Sequence, residues 1–386
     1  MLDLQKDVQK YQTQISSGKR ILNPADDPSA AAQSVQLTER IGALTQYDRN
    51  ANLANLRLSE QETAVEATQN ALQRVRELVL RAKNRSLATA DRRFIAAEVG
   101  ERLNEIQLLA NKKNSSGEYI FAGTAADTLP FAPDITGTML YAGNDTVRAL
   151  EIAEGRTIGE GLAGSDVFMG IRNGNGTFVT GLGAANTGTG RPINDRVTDL
   201  TAFTTDNFRI VFTAANTYDV VNDTSGATIL SAQSYVDGSA ISFNGNSLAI
   251  TGVPNVADEF TLGPARNQSV IATISRAQRD MSVDITSAEL GAESAFNLDR
   301  ALGDIDLALD SLGSMRAQIG ARQNALDSQI SINTDVSLQL QSVKSKLEDV
   351  DIADAISRLS RQTQALEAAQ QAFIRIQGLS LFNYLG

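Results

Sequence analysis

Side chains able to do chemistry are scarce in this sequence, and their spacing is wrong for it. No histidine and no cysteine occur among the 386 residues. That removes the commonest general base, the commonest metal ligand and every thiolate nucleophile. Glu348, Asp349, Asp351 and Asp354 bring four carboxylates together. Without a calcium-loop glycine such a run reads as a solvated helix start rather than a cation site. Asp26-Asp27 is a second acidic pair, but Asp27 before Pro28 is the natural N-cap and N1 of a following helix. Gly18-Lys19 lacks the upstream glycine and trailing Ser or Thr of a phosphate loop, and Gly174, Gly176, Gly181 and Gly183 lack dinucleotide-fingerprint spacing. Asn144-Asp145-Thr146 and Asn222-Asp223-Thr224 match an N-glycosylation pattern that is common by chance. The residues therefore offer no catalytic group, no cofactor and no metal ligand, and the expectation is a protein that is not an enzyme.

Charge narrows the partners. Lys and Arg number 34 against 45 Asp and Glu, for a net charge of -11. The basic excess that phosphate backbones demand is missing, so nucleic acid is not expected. No apolar run approaches the roughly 18 residues that span a bilayer, so membrane insertion is not expected either. The start, Met1 to Lys6, carries no cleavable apolar region.

What the sequence does contain is helical periodicity at both ends. Leu37, Leu44, Ala51, Leu58, Val65, Leu72 and Val79 sit seven apart, on one seam of a helix expected from Ser29 to about Arg85. A second stripe runs Leu298, Leu302, Ile305, Leu309, Leu312, Met315, Ile319, Leu326, Ile330, Leu340 and Leu347. Neither stripe can be buried by its own helix, so N-terminal helix against C-terminal helix is the simplest solution. The first helix carries Leu4, Val8, Tyr11 and Ile15 in a four-three-four rhythm and stops at Gly18. Another is expected to start with Thr89 as N-cap and to bury Ile95, Val99, Leu103, Ile106 and Ala110. Glu118 to Thr124 reads as a strand. Between Ala125 and Pro264 helical stripes vanish and short β-branched and aromatic runs alternate with turns, among them Asn244-Gly245, which suits a type I′ hairpin. The stretch Gly174 to Gly190 reads as a mobile surface loop. Helix returns near Asn267 or Gln268, with breaks expected at Gly291 and around Glu348 to Asp351.

The fold class is thus α+β: an elongated antiparallel helical rod or coiled coil built from both chain ends, with a mostly β insert. The expected division is 1–27 plus 350–386 as a terminal coiled-coil region, 28–126 plus 266–349 as a helical rod with a short strand or hairpin, and 127–265 as an outward-facing β domain. The last segment is unusually apolar for a chain terminus, with Leu359, Leu366 and Phe373 seven apart and Ile376, Leu379 and Phe382 beyond them. Together with Leu4, Val8, Tyr11, Ile15, Asn23, Asp26 and Asp27, these residues are the candidates for subunit assembly.

Ser16-Ser17-Gly18-Lys19-Arg20-Ile21-Leu22-Asn23-Pro24-Ala25-Asp26-Asp27-Pro28 resembles the N-terminal signature of bacterial flagellins and their hook-associated relatives. Thr89-Ala90-Asp91-Arg92 to Leu109 resembles the family's second helix, Ile319-Gly320-Ala321-Arg322-Gln323-Asn324 its C-terminal helix, and Leu347 to Asp354 the approach to its terminal helix. Gly117 to Thr124 and the Asn23-Pro24-Ala25 loop look more like the family's hook-filament junction branch than like filament flagellin. The resemblance implies a structural role in the bacterial flagellum. A ring of such subunits would link the first hook-associated protein to flagellin, each subunit touching copies of itself. It implies export unfolded through the flagellar type III apparatus with an export chaperone, an extracellular location, and a monomer in isolation. Family members begin earlier than this register allows, so a shortened N-terminus is expected. A filament subunit is the nearest alternative; a glycan-binding or adhesive module carried on the β insert is an alternative of another class.

Overall fold

The computed structural model describes the backbone at residues 2–84, 86–135 and 139–382, and side chains as far as 375. Helices α1 (Leu2–Ser17), α2 (Pro28–Ala82) and α3 (Thr89–Ala110) come first. Short strands follow: β1 (Phe131–Pro133) with β2 (Met139–Tyr141), then β3 (Ala149–Ala153) with β4 (Arg156–Gly159). After the short helix α4 (Gly164–Phe168) come β5 (Ile171–Arg172), β6 (Phe178–Leu182), β7 (Arg191–Val197), β8 (Phe208–Ala214), β9 (Thr217–Asn222), β10 (Ala227–Ser234), β11 (Ala240–Phe243), β12 (Asn246–Thr251), β13 (Glu259–Pro264) and β14 (Asn267–Gln268). Helices α5 (Val270–Ser282), α6 (Ala288–Glu348) and α7 (Ile352–Phe382) close the chain. The class expected from periodicity, α+β with helical ends and a central antiparallel β region, is the one observed.

By packing, the chain divides into two compact units. One holds 1–52, 151–157 and 326–386; the other holds 53–150 and 158–325. In the second unit the α2 seam is closed: Leu58, Val65, Leu72 and Val79 have no exposed surface. Across from them lie Leu298, Ile305, Leu312 and Ile319 of α6, all buried. Arg316 pairs with Glu66 at 3.3 Å, Arg76 with Asp306 at 2.5 Å, and Lys83 with Asp299. Each step forward along α2 is matched by a step back along α6, so the two run antiparallel. These exposed pairs fix register more than they stabilise. Helix α3 lays Ile95, Val99, Leu103 and Ile106 against α5, whose Val270, Ile271, Ile274, Ala277 and Met281 are buried.

The β region of this unit has a five-stranded sheet in the order β10-β9-β8-β13-β6 and a three-stranded sheet β11-β12-β7. One apolar cluster joins their inner faces. Phe178, Phe208, Ile210, Phe212, Val220 and Phe260 come from the first, and Ile241, Phe243, Leu248 and Ile250 from the second. The alternation Phe208, Ile210, Phe212 is the period-two signature of a half-buried strand. Asn244 and Gly245 connect β11 to β12 with φ of 43° and 72°, the two positive values that a type I′ turn requires.

Five local expectations are corrected. Residues 118–124 form turns, not a strand. Gly123 sits at φ 64°, Tyr119 N–H donates to Ala126 O at 2.8 Å, and the chain wraps round the fully buried Phe121. Residue 88, not Thr89, is the N-cap of α3, and its alanine side chain caps nothing. The glycine-rich stretch 174–190 contains β6, held by the burial of Phe178 and by Gly174 N–H donating to Asp304 Oδ1 at 2.9 Å. Asn267 and Gln268 pair with β5, so helix resumes only after Ser269, whose Oγ accepts from Ala272 N–H. Gly291 lies inside α6 without a break, because the interruption falls before it, at 283–287.

Leu72 reports on the closed seam. Leu72→Ala should lower stability by roughly 2–5 kcal/mol. Urea unfolding should show a lower midpoint with an unchanged slope.

Candidate assembly surface

In the unit that contains both chain ends, α1 and α7 pack against one another. Gln362 Nε2 donates to Asp7 Oδ2 at 3.1 Å, and Arg358 hydrogen-bonds the side chain of Tyr11. The pairing is therefore antiparallel. Leu4, Val8, Tyr11 and Ile15 are all half-buried, as are Leu359 and Leu366 opposite. Gln14 and Ala355 are the buried residues of this contact. The seam expected from spacing is thus assembled, but shallowly. Phe373 is 46% exposed and Ile374 more so. Ile376, Leu379 and Phe382 belong to α7 by backbone, and their side chains lie outside the described residues.

The loop after α1 forms a clasp on the junction between α6 and α7. Gly18, at φ 70°, ends α1 in the left-handed conformation that favours glycine, and its carbonyl accepts from Val350 N–H at 3.0 Å. Arg20 N–H donates to Glu348 O at 2.6 Å, and Arg20 Nη2 donates to Leu347 O at 2.9 Å. Two further contacts hold Glu348: Lys19 Nζ at 3.3 Å and the hydroxyl of buried Ser34. Asp351 Oδ1 caps α7 by accepting from Ala353 and Asp354 N–H at 3.0 and 3.1 Å. The acidic run singled out by sequence is accordingly spent on helix ends and clasp contacts. Among the described residues no cluster of three or more acidic side chains is placed to hold a metal ion.

Asp26 and Asp27 close the loop itself. Asp26 Oδ2 accepts from Leu22 and Asn23 N–H at 3.2 and 3.1 Å, and Oδ1 accepts from Lys10 Nζ at 2.9 Å. Asp27 Oδ1 accepts from Ala30 N–H at 3.1 Å as the N-cap of α2, and Arg20 lies 3.4 Å from it. Asn23 turns its side chain to solvent while its carbonyl accepts from Asp26 N–H at 2.9 Å. Gln14 escaped sequence reasoning: its Nε2 donates to Arg20 O at 2.6 Å, and nothing in a helical repeat marks a glutamine for that role.

Sequence reasoning also missed a stripe on the same unit. Ile332, Val336 and Val343 of α6 are 53%, 39% and 42% exposed. At 100° per residue they fall within about 40° of one another, beside the flank that buries Gln329 and Asn333. The apolar face of α6 is therefore wider than the seam that α6 fills. Ile352 and Ile356 of α7 and Val35 of α2 are exposed as well in this unit.

Comparison with known proteins places this architecture. The family profile described as bacterial flagellin N-terminal helical region matches residues 1–126, and the one described as bacterial flagellin C-terminal helical region matches 302–385. Flagellar hook-associated protein 3 of Escherichia coli K12 is 26% identical over 374 residues, covering 97% of this chain and 92% of that protein. The crystal structure of hook-associated protein 3 from Legionella pneumophila superimposes with a TM-score of 0.76 at 30% identity, over 81% of this chain and 98% of its own. That of Xanthomonas campestris FlgL gives 0.75 at 30%, over 80% and 99%.

The clasp has a pH signature. Hydrogen bonding from Lys10, then from the Asn23 backbone, holds the Asp26 carboxyl below its ordinary value of 3.8. A depressed carboxylate contributes stability that is present above the unfolded value and lost as pH falls through the folded one. NMR titration of Asp26 should therefore give a midpoint below 3.8. Lys10→Met should move that midpoint up toward the ordinary value.

Proposed function

This chain belongs to the bacterial flagellin family, and we propose that it is a structural adaptor of the hook-filament junction whose copies pack through the exposed apolar surface of the end-containing unit. It is a structural flagellar component, not an enzyme, and it associates with other parts of the flagellum. The observation that carries the packing surface is the uncovered stripe Ile332, Val336 and Val343 with Ile352 and Ile356. Exposed apolar side chains gathered on one helix face mark an interaction site rather than a solvated face. In this reading the neighbours are the first hook-associated protein on one side, flagellin on the other, and copies of the same chain around the ring. Leu4, Val8, Tyr11, Ile15, Leu359 and Leu366 hold the terminal pair together, and Phe373 is offered to a neighbour. Asn23, Asp26 and Asp27 shape the loop between them. Release from an export chaperone and passage through the type III apparatus fit a chain without a single cysteine. In isolation the protein is a monomer.

The double substitution Ile332→Glu with Val343→Glu tests the surface. Both positions are exposed, so unfolding of the purified variant should stay within about 0.5 kcal/mol per site of the wild type. Electron microscopy of cells carrying only this variant should show hooks without retained filaments. Filaments attached in normal numbers would overturn the assignment, and growth of the purified wild-type chain into long filaments would favour the filament-subunit alternative.

A further inference from the structure

Where α3 begins, a buried cation lacks a counter-charge. Arg92, the fourth residue of α3, is only 5% exposed. Its hydrogen bonds among the described residues leave Nη2 alone, to Ser294 Oγ at 2.9 Å and Asp280 O at 3.3 Å. Nε is buried with no partner, and among the described residues no carboxylate forms an ion pair with this side chain. Burial pushes the guanidinium below the ordinary arginine value, yet it remains charged at any relevant pH. An uncompensated buried charge of this kind is costly, and a structure that keeps one gains by receiving an anion.

Arg92 lines a cavity of about 640 Å³. Lys83 and Arg191 contribute two more cations to the wall, and both turn to one carboxylate, Asp299. The acid on the wall, Asp237, already accepts from Gly252 N–H at 3.0 Å. Two long helices also start there. Ser287 Oγ caps α6 by accepting from Leu290 N–H, whereas α3 has Ala88 at its N-cap and no side-chain acceptor for its first-turn N–H groups. Unsatisfied donors at a helix start favour an anion. The wall thus combines a positive helix end with an unneutralised guanidinium: Lys83 and Arg191 are offset by Asp299 and Asp237, which leaves the charge of Arg92, in a chain whose net charge is -11. Long-range attraction cannot account for anion binding to such a chain, so binding must be local.

We propose that this cavity binds a small molecule bearing a phosphate- or sulfate-type oxyanion, with Arg92 as the ion-pair partner and the first turn of α3 as hydrogen-bond donor. The volume exceeds what one oxyanion fills, and Leu87 and Ile285 give the remainder an apolar wall suited to the body of the ligand.

The test uses the full-length chain, with inorganic phosphate or sulfate alone as probe. At constant ionic strength held with chloride, the thermal midpoint should rise with ligand up to about 20 mM, and calorimetry should give one saturable site. Arg92→Met should weaken that site by roughly tenfold or more. Arg93→Met, which removes an exposed arginine paired with Asp284, should leave it unchanged. Should Arg92→Met fail to fold, Ala88→Asp offers a second reading. A carboxylate at the empty cap should raise the midpoint in chloride and shrink the increment given by phosphate. A wild type indifferent to both ions, an Arg92→Met protein that binds as the wild type does, or an Ala88→Asp increment that is undiminished would overturn the site.

Discussion

The main-chain hydrogen bonds that join Arg20 to Glu348 and Val350 to Gly18 are the constraint on which the end-containing unit depends. They tie together residues more than three hundred positions apart. The entropy of closing so long a loop grows only slowly with its length, so a few well-made bonds and a shallow apolar seam suffice to offset it. Because they run through the backbone, these bonds fix where α1 ends and α7 begins whatever the neighbouring side chains do. Antiparallel pairing then follows in this unit, with Ser34 on Glu348 and Asn333 on Asp48.

One repeat has two outcomes along α2. Leu58, Val65, Leu72 and Val79 are sealed, while Leu37 and Leu44, on the same seven-residue spacing, are only half-buried. The residue types do not explain the difference; the neighbours do. Residues 53–82 share their unit with α3, α5 and a β region that brings its own aromatic cluster. Residues 28–52 share theirs with fewer partners. Regions with few buried apolar contacts open most readily. A closed seam and a half-open one thus coexist on a single helical pattern.

That contrast also sets what could be read from sequence. Periodicity disclosed the helices, the antiparallel ends and the β insert, since burial on one face leaves its mark on every third or fourth position, or on every second. The Asp27 cap and the Asn244-Gly245 turn were legible because each depends on its own few residues. Residues 118–124 were misread as a strand because their hydrogen bonds go to Ala126 and Lys112 and to the Gln61 side chain, partners no local pattern reveals. Gly174 to Gly190 was misread for the same reason: its order comes from β13, Asp258 and Asp304, all distant in sequence. The positions of the α1–α7 seam, a contact within this chain, were legible from spacing. The stripe at Ile332, Val336 and Val343 was not, because it lies beside the periodic face and its exposure is decided by what fails to cover it.

Assembly of such a chain has to work against its own charge. Copies carrying -11 are screened from one another beyond about a Debye length, roughly 8–10 Å at moderate ionic strength, and repel inside it. Attraction must then be short-ranged, which apolar burial is and ion-pair steering is not. In the end-containing unit this agrees with the exposed apolar residues on α6, α7 and the start of α2, and with the absence of histidine and cysteine. A protein that works by contact between surfaces has no need of a titrating or nucleophilic side chain. The carboxylates gathered near this junction serve caps and clasp, where Asp26, Asp27, Glu348 and Asp351 each satisfy backbone or cationic donors. Their negative charge is thereby placed at helix starts and beside lysine and arginine, away from the proposed packing stripe of isoleucine and valine on α6.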